Sequence, residues 1–302
     1  MCPKAIKIRK AISHPGLAYK ILVQKAKRML LWDYYYSSLR EPKTRIKLPL
    51  QPDVNDIVDK LKGSGINVSD FAIDIADYHS YLQKAEYQNF QNYYGGGKAK
   101  NFFEKSLEHY LAAKVLNLSS DDVYIDIASE NSPSAEIYKK LYGCQTYRQD
   151  LMFPKGFKGN TIGGDACYMP VPNAFASRMA LHCSFEHFEQ DADIRFVKEA
   201  NRVLADGGKL CIVPLYLYNQ YGILTNPVVL PRGGISFDSD AMLFCCKSWG
   251  ERHGRFYDVS HLISRVLNNI NFRSTIFVVQ NEHEVDRSCY AKFIAVFEKL
   301  GN

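Results

Sequence analysis

From residue 121 onward, short apolar runs alternate with segments of helical period, and this alternation restricts the fold more than any other feature of the sequence. Strands that are separated by helices lie parallel in one sheet, because each helix carries the chain back across the sheet. The expected strands are 123–128, 145–149, 161–163, 177–183, 209–215, 273–279 and 291–298. The sequence therefore predicts an α/β fold with a doubly wound, mostly parallel sheet of seven strands, preceded by a helical amino-terminal region.

The chain has 302 residues, which is enough for one large α/β domain with additions or for two modest domains. Hydrophobic residues make up 46% and charged residues 23%, so the composition is that of a globular protein. No stretch is long and apolar enough for a membrane-spanning helix, and we expect a soluble protein. The predicted regions are a basic arm over 1–47, a helical cap or linker over 48–99, and an α/β domain over 100–302 with an irregular substrate insertion at 216–258.

The excess of positive charge lies at the amino terminus. Residues 1–47 contain twelve Lys or Arg and two acids, a local charge of +10, whereas the remainder carries 26 basic and 30 acidic residues. Within the arm, residues 16–36 have the period of a basic amphipathic helix. Two interpretations stay open: a helix docked on the body through its apolar side, or a peripheral contact with an anionic membrane surface. Nucleic-acid binding is disfavoured, since the body is acidic and carries no recognised motif.

The eight cysteines have irregular spacing and form no CxxC pair, which indicates reduced thiols in a cytoplasmic protein, with membrane association through the arm left open. The segment from His182 to His187 contains four side chains able to bind metals, but its spacing matches no zinc motif. We therefore predict no metal site.

Acidic side chains follow four of the expected strands. They are Asp126, Asp150, Asp165 and Glu186. Ligands of open α/β sheets bind beyond the carboxyl ends of the strands, near the switch in strand order. A carboxylate about 20 residues beyond the first turn is suited to a ribose diol, and Asp150 has that spacing from Asp126.

This order of motifs resembles the class I S-adenosylmethionine-dependent methyltransferases of the small-molecule type. The matching segments are Val123-Tyr124-Ile125-Asp126-Ile127, then Asp150, Gly164-Asp165-Ala166, Phe185-Glu186-His187-Phe188 and the run from Asn201 to Leu210. The likeness covers residues 100–215 well and 216–302 in outline. Where the family has the glycines of its first motif, this chain has Ala128, Glu130 and Ser132.

The resemblance implies a Rossmann-like fold, S-adenosylmethionine as cofactor, and methyl transfer to an oxygen or nitrogen of a small-molecule, glycan or lipid-linked acceptor. It implies that Asp150 binds the ribose hydroxyls, that Asp165 and Ala166 contact the adenine, and that Ser129 and Glu130 contact the methionine end. Asp126 and Ala128 complete the expected cofactor site. The alternative is a noncatalytic binding or scaffold module that keeps the fold and has lost the cofactor.

Candidate catalytic and acceptor residues come from segments near the expected site. A base assists methyl transfer to a hydroxyl, and His182 and His187 flank the end of the fourth expected strand. Two tyrosines before a triple-glycine run, Tyr93 and Tyr94, are suited to line a pocket. From the insertion we expect Tyr216, together with the basic residues Arg252 and His253, to contact the acceptor.

Overall fold

The computed structural model describes residues 15–47, 51–229 and 234–301. The first fourteen residues of the predicted basic arm therefore lie outside the described part. The described residues divide into two compact units, one lying within 1–50 and 222–254 and the other within 51–221 and 255–302. Most of the predicted insertion thus belongs to the same unit as the amino-terminal arm.

The helices, in chain order, are α1 (Pro15–Ser37), α2 (Val54–Gly63), α3 (Ile75–Ala85), α4 (Phe102–Leu116), α5 (Ser134–Tyr142), α6 (Ala192–Val203), α7 (Val259–Arg265) and the short α8 (Glu282–Val285). A further helical turn, Tyr94–Gly97, is kinked at its glycines. Single 3₁₀ turns occur at Tyr87–Asn89, Phe185–His187 and Leu267–Asn269.

The strands are β1 (Lys43–Ile46), β2 (Asn67–Phe71), β3 (Val123–Ile127), β4 (Gln145–Asp150), β5 (Gly156–Lys158), β6 (Thr161–Gly163), β7 (Ala176–His182), β8 (Leu204–Val213), β9 (Gly222–Thr225), β10 (Met242–Cys246), β11 (Gly254–Phe256), β12 (Phe272–Val279) and β13 (Phe293–Lys299).

The larger unit is built on one nine-stranded sheet in the order β2-β12-β13-β8-β7-β3-β4-β6-β5. The five strands from β8 to β6 run parallel, and β13 is antiparallel to both of its neighbours. From β3 the chain first moves outward to β4 and β6, and then returns to place β7 on the other side of β3. The order therefore reverses between β3 and β7, which confirms the predicted doubly wound sheet and fixes its switch point.

The core of this unit explains why the central strands are so apolar. Strand β3 is buried along almost its whole length, as is expected of a parallel strand covered on both faces. Tyr124 of β3 packs in one cluster with side chains of α3, α4 and α5, while α6 packs against β8. Helix α2 begins at Asp53, whose carboxylate accepts the Asp56 N–H, and α3 begins in the same way at Asp74.

The smaller unit contains α1 and the parallel strands β1, β10 and β9, paired in that order. Trp32 of α1 is buried, and the neighbouring Asp33 forms a 2.9 Å ion pair with Arg45 of β1. The Arg45 guanidinium also lies over the Tyr36 ring, 4.2 Å from its centroid. These contacts attach the carboxyl-terminal part of α1 to β1.

All seven expected strands are present and belong to the nine-stranded sheet. The predicted helix over 16–36 is confirmed as α1. The prediction that the insertion is irregular was wrong, since β9 and β10 lie within it. They are held in a sheet with β1, a segment far earlier in the chain, and no local pattern indicates that pairing. Strands β1, β2 and β5 were also missed.

Candidate functional site at the carboxyl edge of the sheet

The turn that follows β3 holds two residues in the left-handed region. Ala128 has φ +53° and Glu130 has φ +41°. This conformation costs an L-residue with a side chain roughly 1–2 kcal/mol, and glycine adopts it freely. The turn therefore keeps at 128 and 130 the backbone that the glycines of the resembling family would supply, although the side chains differ.

Strand β4 supplies the hydrogen bonds that hold this turn. The Ala128 N–H donates to Gln149 Oε1 at 3.2 Å, and the Ser129 N–H donates to the Gln149 carbonyl at 2.9 Å. The Glu130 N–H donates to Asp150 Oδ2 at 2.7 Å. The structure thus brings together four of the predicted cofactor-binding residues at the ends of β3 and β4.

Asp150 is 6% exposed, and its second oxygen, Oδ1, accepts the Met152 N–H at 2.8 Å. A carboxylate has about four acceptor positions, two on each oxygen. Two positions are therefore used by the backbone, and the other two can accept hydroxyl donors such as those of a ribose.

The Ser129 hydroxyl is an orphaned polar group in the middle of this turn. The residue is 3% exposed, and Ser129 Oγ is buried with no hydrogen-bond partner. A buried hydroxyl without a partner costs about 1–3 kcal/mol, so such groups call for an explanation in a native protein. A ligand or water bound at the turn would supply the missing hydrogen-bond partner. The residues present therefore fit the cofactor that the resemblance implies.

Asp126 and His182 form a buried pair at the adjacent ends of β3 and β7. Their Oδ1 and Nδ1 atoms are 3.1 Å apart, and the two side chains are 1% and 4% exposed. Asp126 Oδ2 also accepts the Ser134 hydroxyl at 2.6 Å. The other ring nitrogen, His182 Nε2, is 3.4 Å from the Tyr138 hydroxyl, at the long limit of a hydrogen bond. A carboxylate that orients one imidazole nitrogen while the other has only a weak partner is the arrangement of a general base.

His109 of α4 was missed by the sequence predictions. Its ring centroid is 4.6 Å from that of His182, and its nitrogens contact the hydroxyls of Tyr87 at 2.8 Å, Tyr93 at 3.1 Å and Ser132 at 3.3 Å. Burial lowers the pKa of His109 well below its usual value, so this imidazole is neutral at neutral pH. Tyr93 and Ser132 are thereby linked to the Asp126 and His182 pair.

Three more ionisable side chains of α4 are buried near the same edge. Lys105 Nζ is 2.6 Å from Glu108 Oε1, and burial raises the pKa of Glu104 to about 8. Burial likewise raises the pKa of Glu108, whose Oε2 has no hydrogen-bond partner. The spacing i, i+1, i+4, i+5 places four polar residues on one face of α4: Glu104, Lys105, Glu108 and His109. This spacing was the sequence signal that could have indicated a polar cluster on the helix.

Tyr216 follows β8, and its side chain reaches the segment after β7. Its hydroxyl is 3.4 Å from the Cys183 sulfur, which is also 3.2 Å from Glu186 Oε1. Burial raises the pKa of the Cys183 thiol well above its usual value, so the sulfur is an unreactive thiol. His187 Nε2 is 3.5 Å from Glu186 Oε1, and the His187 side chain is 36% exposed.

Asp165 and Ala166 follow β6 as predicted. Asp165 Oδ1 accepts the Cys167 N–H at 2.9 Å, and Oδ2 is 3.6 Å from Arg195 Nη1. Ala166 is buried. Arg252 and His253 belong to the smaller unit, where the Arg252 carbonyl accepts the Thr225 hydroxyl at 2.7 Å and His253 is 2% exposed. Their contact with an acceptor stays a prediction.

A cavity of about 340 Å³ opens beside the turn that follows β3. Its volume is that of a small-molecule site. Tyr93 and Ser132, two of the three side chains whose hydroxyls contact the His109 ring, form part of the cavity wall. The Tyr94 ring packs edge-on against that of Tyr93. The remaining lining residues are mostly polar: Asn89, Phe90, Gln91, Asn92, Asn131, Pro133, Glu136 and Arg148.

Within the described ranges, no group of three or more His, Cys, Asp or Glu side chains is placed to hold a metal ion. The same part of the chain has no helix of sufficient length and apolarity to cross a membrane.

Comparison with known proteins gives structural similarity alone. No protein-family model matches the chain, and no curated protein does either. Among solved structures, the 1,6-didemethyltoxoflavin-N1-methyltransferase of Burkholderia thailandensis, with S-adenosylhomocysteine bound, is 12% identical with a TM-score of 0.47, and the match covers 78% of this chain and 94% of that one.

Two further structures show a similar degree of likeness. An S-adenosylmethionine-dependent methyltransferase of Thermotoga maritima is 11% identical with a TM-score of 0.41, over 76% of this chain and 96% of that one. A Haloferax volcanii protein in complex with the Trm112 methyltransferase activator is 9% identical with a TM-score of 0.46, over 74% and 97%. At these values the likeness concerns the chain path, and the case for function comes from the site.

Proposed function

We propose that this protein binds S-adenosylmethionine at the carboxyl edge of the nine-stranded sheet and transfers its methyl group to an oxygen or nitrogen of an acceptor. The observation that carries the proposal is the turn over Ala128, Ser129 and Glu130. It lies beside the switch point between β3 and β7, keeps a left-handed backbone at two positions, and contains a buried hydroxyl without a partner.

The roles of the cofactor-binding residues follow from their positions. Asp150 would accept the ribose hydroxyls, Asp165 and Ala166 would contact the adenine, and Ser129 with Glu130 would contact the methionine end. When bound, the cofactor supplies a methyl group on a positively charged sulfur. The chain supplies orientation, which is the main contribution that a protein makes to a displacement between two bound groups.

His182 is the proposed base for an acceptor hydroxyl, because Asp126 orients its Nδ1 and Tyr138 holds Nε2 only weakly. A positioned base contributes on the order of 100-fold or more. His182→Gln should therefore lower kcat by about 100-fold. His187→Gln is the comparison, since that ring lies by Glu186 and is partly exposed. Turnover is measured as release of S-adenosylhomocysteine. An equal loss of kcat in both variants would show that His182 is not the specific base.

We propose the 340 Å³ cavity as the outer part of the acceptor site, because its wall residues Tyr93 and Ser132 contact His109, whose ring lies against that of His182. Arg148 Nε is buried without a hydrogen-bond partner, and Arg148 Nη1 is 3.5 Å from Glu136. The Arg148 guanidinium has N–H donors left to bind an anionic group, and the side-chain amides beside it can bind hydroxyls. This combination suits a hydroxyl-rich acceptor with an anionic group, as in a sugar acid or a lipid-linked glycan. Arg148→Gln should raise the KM for such an acceptor and leave kcat unchanged, whereas Arg273→Gln, at a side chain that is 67% exposed on β12, should change neither.

The noncatalytic alternative has one observation in its favour. Both Asp150 oxygens already accept backbone N–H groups, so this carboxylate has a structural role without any ligand. The two functions differ in their response to S-adenosylhomocysteine. A ligand at 100 times its dissociation constant stabilises the folded state by about 2.7 kcal/mol, so a methyltransferase should show a raised Tm. A module that has lost the cofactor should show an unchanged Tm.

A further inference from the structure

Helix α1 exposes a row of large apolar side chains. Tyr19 is 69% exposed, Leu22 64%, Met29 60%, Leu30 80% and Tyr34 69%. Counted through the exposed Ala26, these side chains recur every three or four residues, with Met29 and Leu30 side by side, and so form one broad stripe along the helix. Single exposed apolar residues are common on protein surfaces, but a continuous row marks a surface that binds a partner.

Within the smaller unit, α1 is not held through this apolar row. A helix docked through its apolar side would bury Leu22, Met29 and Leu30, and all three are exposed. The buried side chain is instead Trp32, next to Asp33, which pairs with Arg45. The helix is therefore attached to β1 near its carboxyl end, and its apolar face is left for another partner.

The charge of the segment identifies that partner as anionic. Residues 1–47 contain twelve Lys or Arg and two acids, and Lys27 is exposed on α1 itself. A second copy of the chain would bring the same positive charge to the interface, and like charges disfavour self-association. An anionic lipid bilayer satisfies both features, because it accepts apolar side chains below a negatively charged surface.

We propose that α1 lies in the surface of an anionic lipid bilayer, with the row from Tyr19 to Tyr34 directed into the interface. The helix lies on the membrane and does not cross it, since no described helix is apolar enough to span a bilayer. The exposed Tyr34 suits the boundary between lipid and water, because a tyrosine ring combines an apolar body with a polar hydroxyl. This inference is independent of the proposed methyl transfer.

The test is co-sedimentation of the full chain with vesicles of phosphatidylcholine alone and of phosphatidylcholine with phosphatidylserine. We expect binding to the anionic vesicles, weakened at high salt, and little binding to the neutral ones. The variant Leu22→Gln/Leu30→Gln should bind about tenfold more weakly for each leucine removed.

The matched control is Leu151→Gln/Met152→Gln, which removes two equally exposed apolar side chains from the larger unit, at 71% and 81% exposure. This control should bind as the unmodified chain does. Absence of binding to anionic vesicles, or equal binding by both double variants, would overturn the proposal. Sedimentation velocity tests the other possible partner, a second copy of the chain. A dimer of the unmodified chain that dissociates in Leu22→Gln/Leu30→Gln would show that a second copy covers this face, and would also overturn the proposal.

Discussion

The backbone N–H of Glu130 donates a 2.7 Å hydrogen bond to Asp150 Oδ2 and so ties the turn after β3 to the end of β4. Asp150 is also the residue to which the resemblance assigns the ribose hydroxyls. One carboxylate thus holds the turn and is proposed to hold the ligand. Because the donor is the backbone of residue 130, the side chain there can be changed without loss of this bond.

Glu130→Gly should raise the free energy of unfolding by about 0.5–1 kcal/mol. The substitution relieves a left-handed conformation that costs roughly 1–2 kcal/mol, and part of this gain is offset by the greater freedom of glycine in the unfolded chain. Urea denaturation of both proteins measures the difference.

Asn131→Gly is the matched control for the change at residue 130, because Asn131 is next in the chain and is not among the residues with positive φ. It should lower the free energy of unfolding by up to about 1 kcal/mol, since glycine there adds only unfolded-state freedom. Destabilisation by Glu130→Gly as large as that by Asn131→Gly would show that the conformation at Glu130 is not strained.

Asp193→Asn should destabilise the larger unit by about 3 kcal/mol or more, because breaking a buried ion pair leaves uncompensated charge. Asp193 is fully buried, 3.1 Å from Arg255 Nη1 and 2.8 Å from Arg265 Nη2, and also accepts the Tyr257 hydroxyl at 2.7 Å. Thermal and urea denaturation measure the loss.

For comparison, Asp191→Asn removes a carboxylate that is 62% exposed and pairs with Arg195 at the surface. Exposed pairs contribute about 0–1 kcal/mol, so this variant should stay close to the unmodified chain. Similar losses in the two variants would mean that the cluster around Asp193 contributes no more than a surface pair.

Glu104→Gln should become progressively more stable than the unmodified chain as the pH rises. Burial raises the pKa of Glu104 from 4.5 to about 8, so between these values the native state keeps a proton that the unfolded state releases. The stability supplied by this group is fully present below pH 4.5 and is lost as the pH rises to about 8. The slope approaches about 1.4 kcal/mol per pH unit, and glutamine removes it.

The measurement is the free energy of unfolding of both proteins at several pH values from about 5 to 8. The difference between them should widen with pH over this range. Parallel curves would show that Glu104 titrates alike in the folded and unfolded states.

The sequence predicted the doubly wound sheet because central strands such as β3 and β7 contain buried apolar runs that alternate with helices. It did not predict β9 and β10: β10 pairs with β1, which lies far earlier in the chain, and β9 pairs with β10. Strand β5 pairs with β6 in a local hairpin across Gly159 and Asn160, and this two-residue turn was the sequence signal that the predictions did not use.

The candidate site was predicted in part for a similar reason. Asp126, Asp150 and His182 directly end or adjoin strands, so the strand pattern alone brought them to one edge. His109 lies in the middle of α4, and its burial among hydroxyl groups depends on packing between α4 and the turn after β3. The left-handed backbone at Glu130 was also not predictable, because glutamate rarely adopts it.

The central claim is that the turn from Ala128 to Glu130, with Asp150, still binds the adenosyl cofactor. Calorimetric titration of the full chain with S-adenosylhomocysteine tests it most directly. We predict saturable binding of one molecule per chain, weakened about tenfold or more in Asp150→Asn, since one charged acceptor is lost. Asp206→Asn, at an exposed carboxylate, should bind as the unmodified chain does. Absence of binding heat together with an unchanged Tm would contradict the account.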